Sequence, residues 1–367
     1  MESESAALIS MKKLKVGIIG QGRSGRDIHG RFLITVPEKF QIVAVVDPLE
    51  ERRKRAVEEY GCEAYADYHS LLERKDLDLI INATPSHLHV PVTLEFLNNG
   101  FNVLCEKPLA RKVEEVDMLI EASEKAGKIL AIFQQSRYAP YFQKVRKIID
   151  SGVLGRIVQI SIAFNGFSRR WDWQTLQEYN GGSLLNTGPH PLDQALQLFG
   201  TDIMPEVTCI MDRVNTFGDA EDYVKLIMKG PGRPVIDLEV SSCCVYPCFT
   251  YNVYASCGGL KGSMTHIDWK YFIPEEAPLR HLIREPLTKE DGTPAYCSDK
   301  LEWHEESWDV PSEQKNLFQT ISGGFYNMLH KTLTTGAPLE VTPQQVRQQI
   351  AVIEECHRQN PFPSLNS

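Results

Sequence analysis

The chain has 367 residues, 42% hydrophobic and 24% charged, with a formal net charge of −9. This is enough apolar content for two packed domains. The acidic balance excludes nucleic acid and anionic membrane surfaces as partners, since both reward a concentrated positive patch. No apolar run approaches the roughly 18 residues a membrane span needs. Residues 1–11 carry acids where a secretory signal has a basic start, and read as a disordered tail. Nine scattered cysteines match neither a disulfide framework nor a zinc ligand set. The expectation is a cytoplasmic protein with reduced thiols and no metal.

The first predicted element is a strand, residues 14–19, that runs straight into Gly20-Gln21-Gly22-Arg23-Ser24-Gly25 and a helical stretch. In such a loop one glycine permits the tight turn and a second lets backbone N–H groups approach a pyrophosphate. The third lets the helix pack on the strand, and the helix N-terminus supplies positive potential for the phosphates. A second strand, residues 41–46, ends at Asp47, 22 residues after Gly25. A carboxylate there accepts hydrogen bonds from the ribose hydroxyls of NAD, whereas the 2′-phosphate of NADP is repelled by it. NAD is the expected cofactor, held by Gly20, Gly22, Arg23, Ser24, Gly25 and Asp47; Arg52 and Arg53 read as solvated surface on the next helix.

Helix and strand then alternate. Helices are predicted over 51–60, 68–73, 89–98 and 113–126, with strands over 64–65, 77–83, 101–105 and 129–133. This spacing implies an α/β domain with a doubly wound parallel sheet, which binds ligands at the carboxyl ends of its strands. Thr84 and Pro85 end one strand, and Glu106, Lys107 and Pro108 follow another, so they are expected to face the nicotinamide half of the cofactor. His89 is counted with them, although for His87 and His89 a structural role at a helix N-terminus stays open. Beyond residue 136, strand-like runs at 157–164, 207–214, 223–228, 235–240 and 251–255 surround a helix-like stretch, 184–199.

The Gly20-x-Gly22-x-x-Gly25 loop, Ala83-Thr84-Pro85 with His89, and Cys105-Glu106-Lys107-Pro108-Leu109 resemble the Gfo/Idh/MocA oxidoreductases. The similarity extends through Arg137-Tyr138, the segment 148–155, Asp172-Trp173, the segment 181–193 that ends His190-Pro191-Leu192-Asp193, and Pro338 to Pro343. This resemblance implies a Rossmann domain over residues 12–135 and an α+β domain over 136–367 with an open, mostly antiparallel sheet. The C-terminal helix is expected to pack back on the first domain. It also implies an NAD-dependent dehydrogenase of sugars, glycosides or cyclic polyols, with NAD tightly held in some members. Oxidation at C3 of a glucose unit, an NAD-recycling glycosidase and an inositol-type dehydrogenase are the readings it offers. An open sheet face needs covering, so a homo-oligomer (dimer, tetramer or hexamer) is expected.

Oxidising a secondary alcohol needs a proton acceptor and a group that stabilises developing alkoxide character. Lys107 and His190 are the candidates: His190 as acid/base, Lys107 as electrostatic partner and proton relay. If residues 186–193 form one helix, Asn186, His190 and Asp193 share a face. The family pattern has an aspartate where this chain has Asn186. An asparagine orients a histidine but carries no charge, so His190 should lose proton affinity. Either Asp193 supplies part of the missing charge or Lys107 takes the larger share. Arg137, Tyr138, Trp173, Asn186, His190 and Asp193 are the expected substrate contacts, with Asn186 on a substrate hydroxyl.

Overall fold

The computed structural model describes residues 12–363 and Leu365; the predicted tail over 1–11 lies outside them. Six short strands form one parallel sheet: β1 (Leu14–Ile19), β2 (Phe40–Val46), β3 (Glu63–Tyr65), β4 (Leu79–Asn82), β5 (Val103–Cys105) and β6 (Leu130–Ile132). Their order is β3-β2-β1-β4-β5-β6, so the chain reverses direction between β1 and β4. All four residues of β4 are buried, as a parallel sheet covered on both faces requires. Wide π-type turns over Arg23–Gly30 lead into α1 (Arg31–Leu33). The other helices of this domain are α2 (Glu50–Tyr60), α3 (His89–Asn98) and α4 (Val113–Ala126). The predicted helix over 68–73 is a single tight turn, Tyr68–Leu71.

Helix α5 (Pro140–Asp150) leads into an eight-stranded sheet: β7 (Ile157–Asn165), β8 (Glu206–Asp212), β9 (Tyr223–Lys229), β10 (Val235–Ser241), β11 (Tyr251–Ala255), β12 (Gly258–Gly262), β13 (His266–Tyr271) and β14 (His304–Asp309). The order is β14-β13-β12-β11-β7-β10-β9-β8, and only β7 and β10 run parallel. The last three strands were not predicted: β12 is glycine-rich and β14 strongly charged, so neither carries an apolar alternation. One face packs inward through Leu226, Leu238, Ile160, Ile162, Val253 and Leu260. The other carries Thr208, Ile227, Asp237, Ser161, Asn252, Lys261 and Asp268, which stand opposite one another across the strands in one row.

The predicted helix 184–199 is broken. Residues Ser183–Asn186 form one turn, α6, and Pro189–Phe199 form α7, because Thr187-Gly188-Pro189 interrupts the ladder. Two long helices close the chain, α8 (Leu317–Thr335) and α9 (Pro343–Gln359), the latter opened by a Thr342–Gln345 capping box with Pro343 in its first turn. Both lie against the first domain. Arg347 of α9 pairs with Asp117 of α4, Glu354 accepts the Val113 N–H at 2.9 Å, and Gln134 donates to Gln349 at 2.6 Å.

Candidate active site

The glycine loop shows why only glycine fits there. Gly20 has φ +91°, and a Cβ on it would stand 2.5 Å from the Ala83 carbonyl oxygen; one on Gly25 would stand 1.8 Å from the Gly20 oxygen. Their absence leaves the mouth of the β1 turn open to a cleft of about 710 Å³. Gly20, Gly22, Arg23, Ser24, Asp47, Thr84, Pro85 and Lys107 all border it. Asp47 is buried, its Oδ2 accepting the Gln21 N–H at 2.8 Å and its Oδ1 the Leu49 N–H at 2.9 Å. Arg52 and Arg53 depart from the expected solvated surface. Arg52 Nη1 lies 3.4 Å from Asp47 Oδ2 and borders the cleft, and Arg53 caps the Asp47 and Pro48 carbonyls at 2.8 and 2.9 Å. An elongated cleft with a carboxylate at one end and a helix N-terminus in the middle fits NAD, which supplies a hydride acceptor when bound.

At the other end two strand-end loops are tied together. Asn82 Oδ1 accepts the Thr84 hydroxyl at 2.7 Å, and its amide donates to His89 O and to Thr93 Oγ1. His89 is buried, with Nε2 on the Thr84 carbonyl at 3.0 Å and Nδ1 on the Pro108 carbonyl at 2.6 Å. Burial pushes its pKa down against the pull of those two carbonyls. Both ring nitrogens are therefore engaged with backbone, and His89 holds the loops. Glu106 is buried too, its Oε2 accepting the Lys107 N–H at 3.0 Å. Burial would raise its pKa, but His29, Lys107 and His89 outweigh it and hold the carboxyl at about 2.

Lys107 is joined to Pro108 by a cis peptide and reaches across to the second domain, where Nζ donates to the Asn186 carbonyl at 2.8 Å. Burial, helped by the nearby Arg23 and Arg170 guanidiniums, lowers its pKa; Glu106 opposes them. His190 stands beside it. Burial first, then the Lys107 ammonium and Arg23, push its pKa down to about 3. The Asn186 side chain gives His190 no help: its Oδ1 accepts from Gln174 at 3.1 Å, and His190 Nδ1 is buried without a hydrogen-bond partner.

Three expectations are corrected. Asp193 does not supply charge to His190. It forms a buried, two-pronged ion pair with Arg137 (3.0 and 2.5 Å), whose remaining nitrogen donates to Glu340 O and Gln345 Oε1 at 2.7 Å each. Arg137 and Asp193 are both buried in this pair, where they were expected to be free for a substrate. Tyr138 is likewise turned away, its hydroxyl donating to Glu340 Oε2 at 2.8 Å and its ring edge-on to Phe325. The break between α6 and α7 puts Asn186 on a different helix from His190 and Asp193.

Trp173, by contrast, borders the cleft with Arg170, Asp172 and Gln174, its ring edge-on to Tyr179. Arg170 is clamped to Asp172 at 2.6 Å and to the Gln174 side chain. Behind this group a smaller pocket of about 120 Å³ is walled by hydroxyls, amides and carboxylates, among them Ser168, Ser183, Thr187, Glu221 and Asn186. Sequence reasoning missed Asn82, Gln174 and His29. Asn82 sits at a strand end, the one signal that pointed to it; His29 meets Tyr326 from 297 residues away, and Gln174 lies in an irregular stretch of short turns whose course no periodicity gives.

Among known proteins, the sequence profile of the Gfo/Idh/MocA oxidoreductase family, NAD-binding Rossmann fold, matches residues 14–134, and that of the family's C-terminal domain matches 142–261. The chain is 31% identical over 265 residues to a 2,7-anhydro-N-acetylneuraminate hydratase of Mediterraneibacter gnavus, covering 69% of this chain and 67% of that one. It is 29% identical over 253 residues to an inositol 2-dehydrogenase of Salmonella typhimurium, covering 68% and 72%. The WlbA dehydrogenase of Bordetella pertussis, solved with NADH and UDP-GlcNAcA, shares the fold at a TM-score of 0.73 and 19% identity, over 95% and 96% of the two chains. The glycine loop with Asp47, the Glu106-Lys107-Pro108 turn and the second sheet thus place this chain in the Gfo/Idh/MocA family of NAD-binding oxidoreductases.

Proposed function

We propose that this enzyme oxidises a secondary hydroxyl of a sugar, a glycoside or a cyclic polyol, C3 of a glucose unit being the leading position, with Lys107 as proton acceptor. One observation carries the reading: the Lys107 amine lies at the seam between the nucleotide cleft and the small polar pocket, with its pKa lowered. A lysine that gives up its proton more readily is available as a base nearer neutrality. His190, held near 3 with Nδ1 orphaned, stays neutral and serves as a hydrogen-bonding neighbour of the reacting oxygen. The pocket walls of hydroxyl, amide and carboxylate suit a polyhydroxy ring, and Trp173 offers a flat face for C–H surfaces.

The experiment is incubation with a panel of polyols, hexoses and glycosides, following NADH absorbance and keto products by mass spectrometry. A keto product from at least one sugar-like compound is the expected result; none from any of them sinks the proposal. A second reading is a reaction with no net redox change, in which NAD is reduced and then restored. It is favoured by the likeness to a protein named a hydratase. It predicts a product of changed bonding, released aglycone or added water, with no accumulation of NADH.

A further inference from the structure

His29 lies on the turns that follow the glycine loop, four residues past Gly25, and is completely buried. Its two ring nitrogens face different parts of the molecule. Nε2 stands 3.2 Å from Glu106 Oε1, close but off the line of a full hydrogen bond. Nδ1 stands 2.6 Å from the hydroxyl of Tyr326, a residue of α8 that is 297 positions away. Tyr326 is buried as well and fixed by aromatic neighbours, stacking on Phe32 and meeting Phe40, Phe133 and Phe325 at their edges. A carboxylate only accepts, so the nitrogen facing Glu106 carries a proton, and Nδ1 is left to accept from the phenol. The result is a buried row of contacts, a hydrogen bond from Tyr326 to His29 and a 3.2 Å approach of His29 to Glu106, that ends on the residue beside Lys107.

We propose that His29, oriented by Tyr326, is a positioning residue that keeps the carboxylate of Glu106, the residue before Lys107, ionised and so sets the proton affinity of the Lys107 amine. Glu106 is 4% accessible, and its other oxygen is occupied by the Lys107 N–H. A buried carboxylate deprived of a donor takes up a proton rather than stay charged. Glu106 is met by His29, Lys107, His89, His190, the Cys105 thiol and the Tyr326 phenol; Lys107 is met by Glu106, Arg23, Arg170 and His190. Of the groups around Lys107, Glu106 alone is negative and favours the ammonium form. Discharging Glu106 removes that support, so the amine should lose its proton at lower pH.

The inference does not depend on the substrate, and its test needs none. The full chain, saturated with NAD, is treated with cyanate across a range of pH, and carbamylation of the Lys107 peptide is read by mass spectrometry against the exposed Lys300. In His29→Leu the labelling midpoint of Lys107 should fall by about one pH unit or more, with Lys300 unmoved. His29→Gln keeps a donor toward Glu106 and an acceptor toward Tyr326, and should restore the original midpoint. Tyr326→Phe, which removes one hydroxyl, should move it in the same direction as leucine but less. If His29→Leu proves insoluble, the phenylalanine variant carries the test alone. A midpoint that stays in place or rises in the variants overturns the proposal, even with sugar oxidation intact; a loss of sugar oxidation with the midpoint shifted as stated leaves it standing.

Discussion

Lys107 and His190 share one small volume and compete for protons there. Burial penalises both cations, and each is further disfavoured by the positive charge of the other or of Arg23. Lys107→Met should lower kcat/KM by about 10²- to 10⁴-fold, the usual worth of a positioned acid or base, while NADH binding measured by fluorescence is retained. His190 also makes a stability prediction. Its folded-state pKa of about 3 lies below the ordinary value of 6.5. Between these limits the unfolded chain binds a proton that the folded one refuses, so stability falls as pH drops from about 6.5 towards 3. The slope from this residue is up to about 1.4 kcal/mol per pH unit. Urea titrations of His190→Asn should show a correspondingly shallower loss over that window; an unchanged slope would contradict the assignment.

At the scale of elements, the interruption between α6 and α7 matters most. It places the Asn186 carbonyl on Lys107 while turning the Asn186 side chain to Gln174. It also frees the start of α7 to dock on the turn carrying Arg137. The Arg137–Asp193 pair therefore joins α7 to the Gln135–Tyr138 turn and to the start of α9 through Gln345. Removing one member strands a buried charge, which typically costs about 3–5 kcal/mol. Asp193→Ala should lower the urea midpoint accordingly, whereas a variant as stable as the parent would show that the pair is not buried in solution. The glycine loop, Asp47 and the Glu106-Lys107-Pro108 turn were legible in the sequence because their chemistry is local: each lies within a few residues of a strand end. Asp193 was misread because its partner comes from 56 residues away, and because a two-residue break in a helix changes which side chains share a face.

For the whole molecule, no layer of helices among the described residues covers one face of the second sheet. That face mixes the exposed Ile210 and Tyr254 (61% and 51% accessible) with internally paired charges such as Lys225 with Asp237 at 2.5 Å. A broad sheet face of this kind is stable when a second copy covers it. Light scattering at micromolar protein should give a multiple of the 41.6 kDa chain mass; a monomeric mass would refute it. No helix among the described residues is long and apolar enough to cross a membrane.

The sequence by itself determined the parallel sheet, the tight glycine turn after β1, the carboxylate of Asp47 at the end of β2 and the presence of Lys107 at a strand end. These follow from hydrophobic period, glycine geometry and the charge of single side chains, all of which act over short stretches of chain. Only the tertiary structure decided which neighbours set the charge of Lys107 and His190. Burial and long-range pairing, with His29 and Tyr326 brought to Glu106 and Asp193 taken by Arg137, depend on where distant segments meet. No local pattern encodes those meetings.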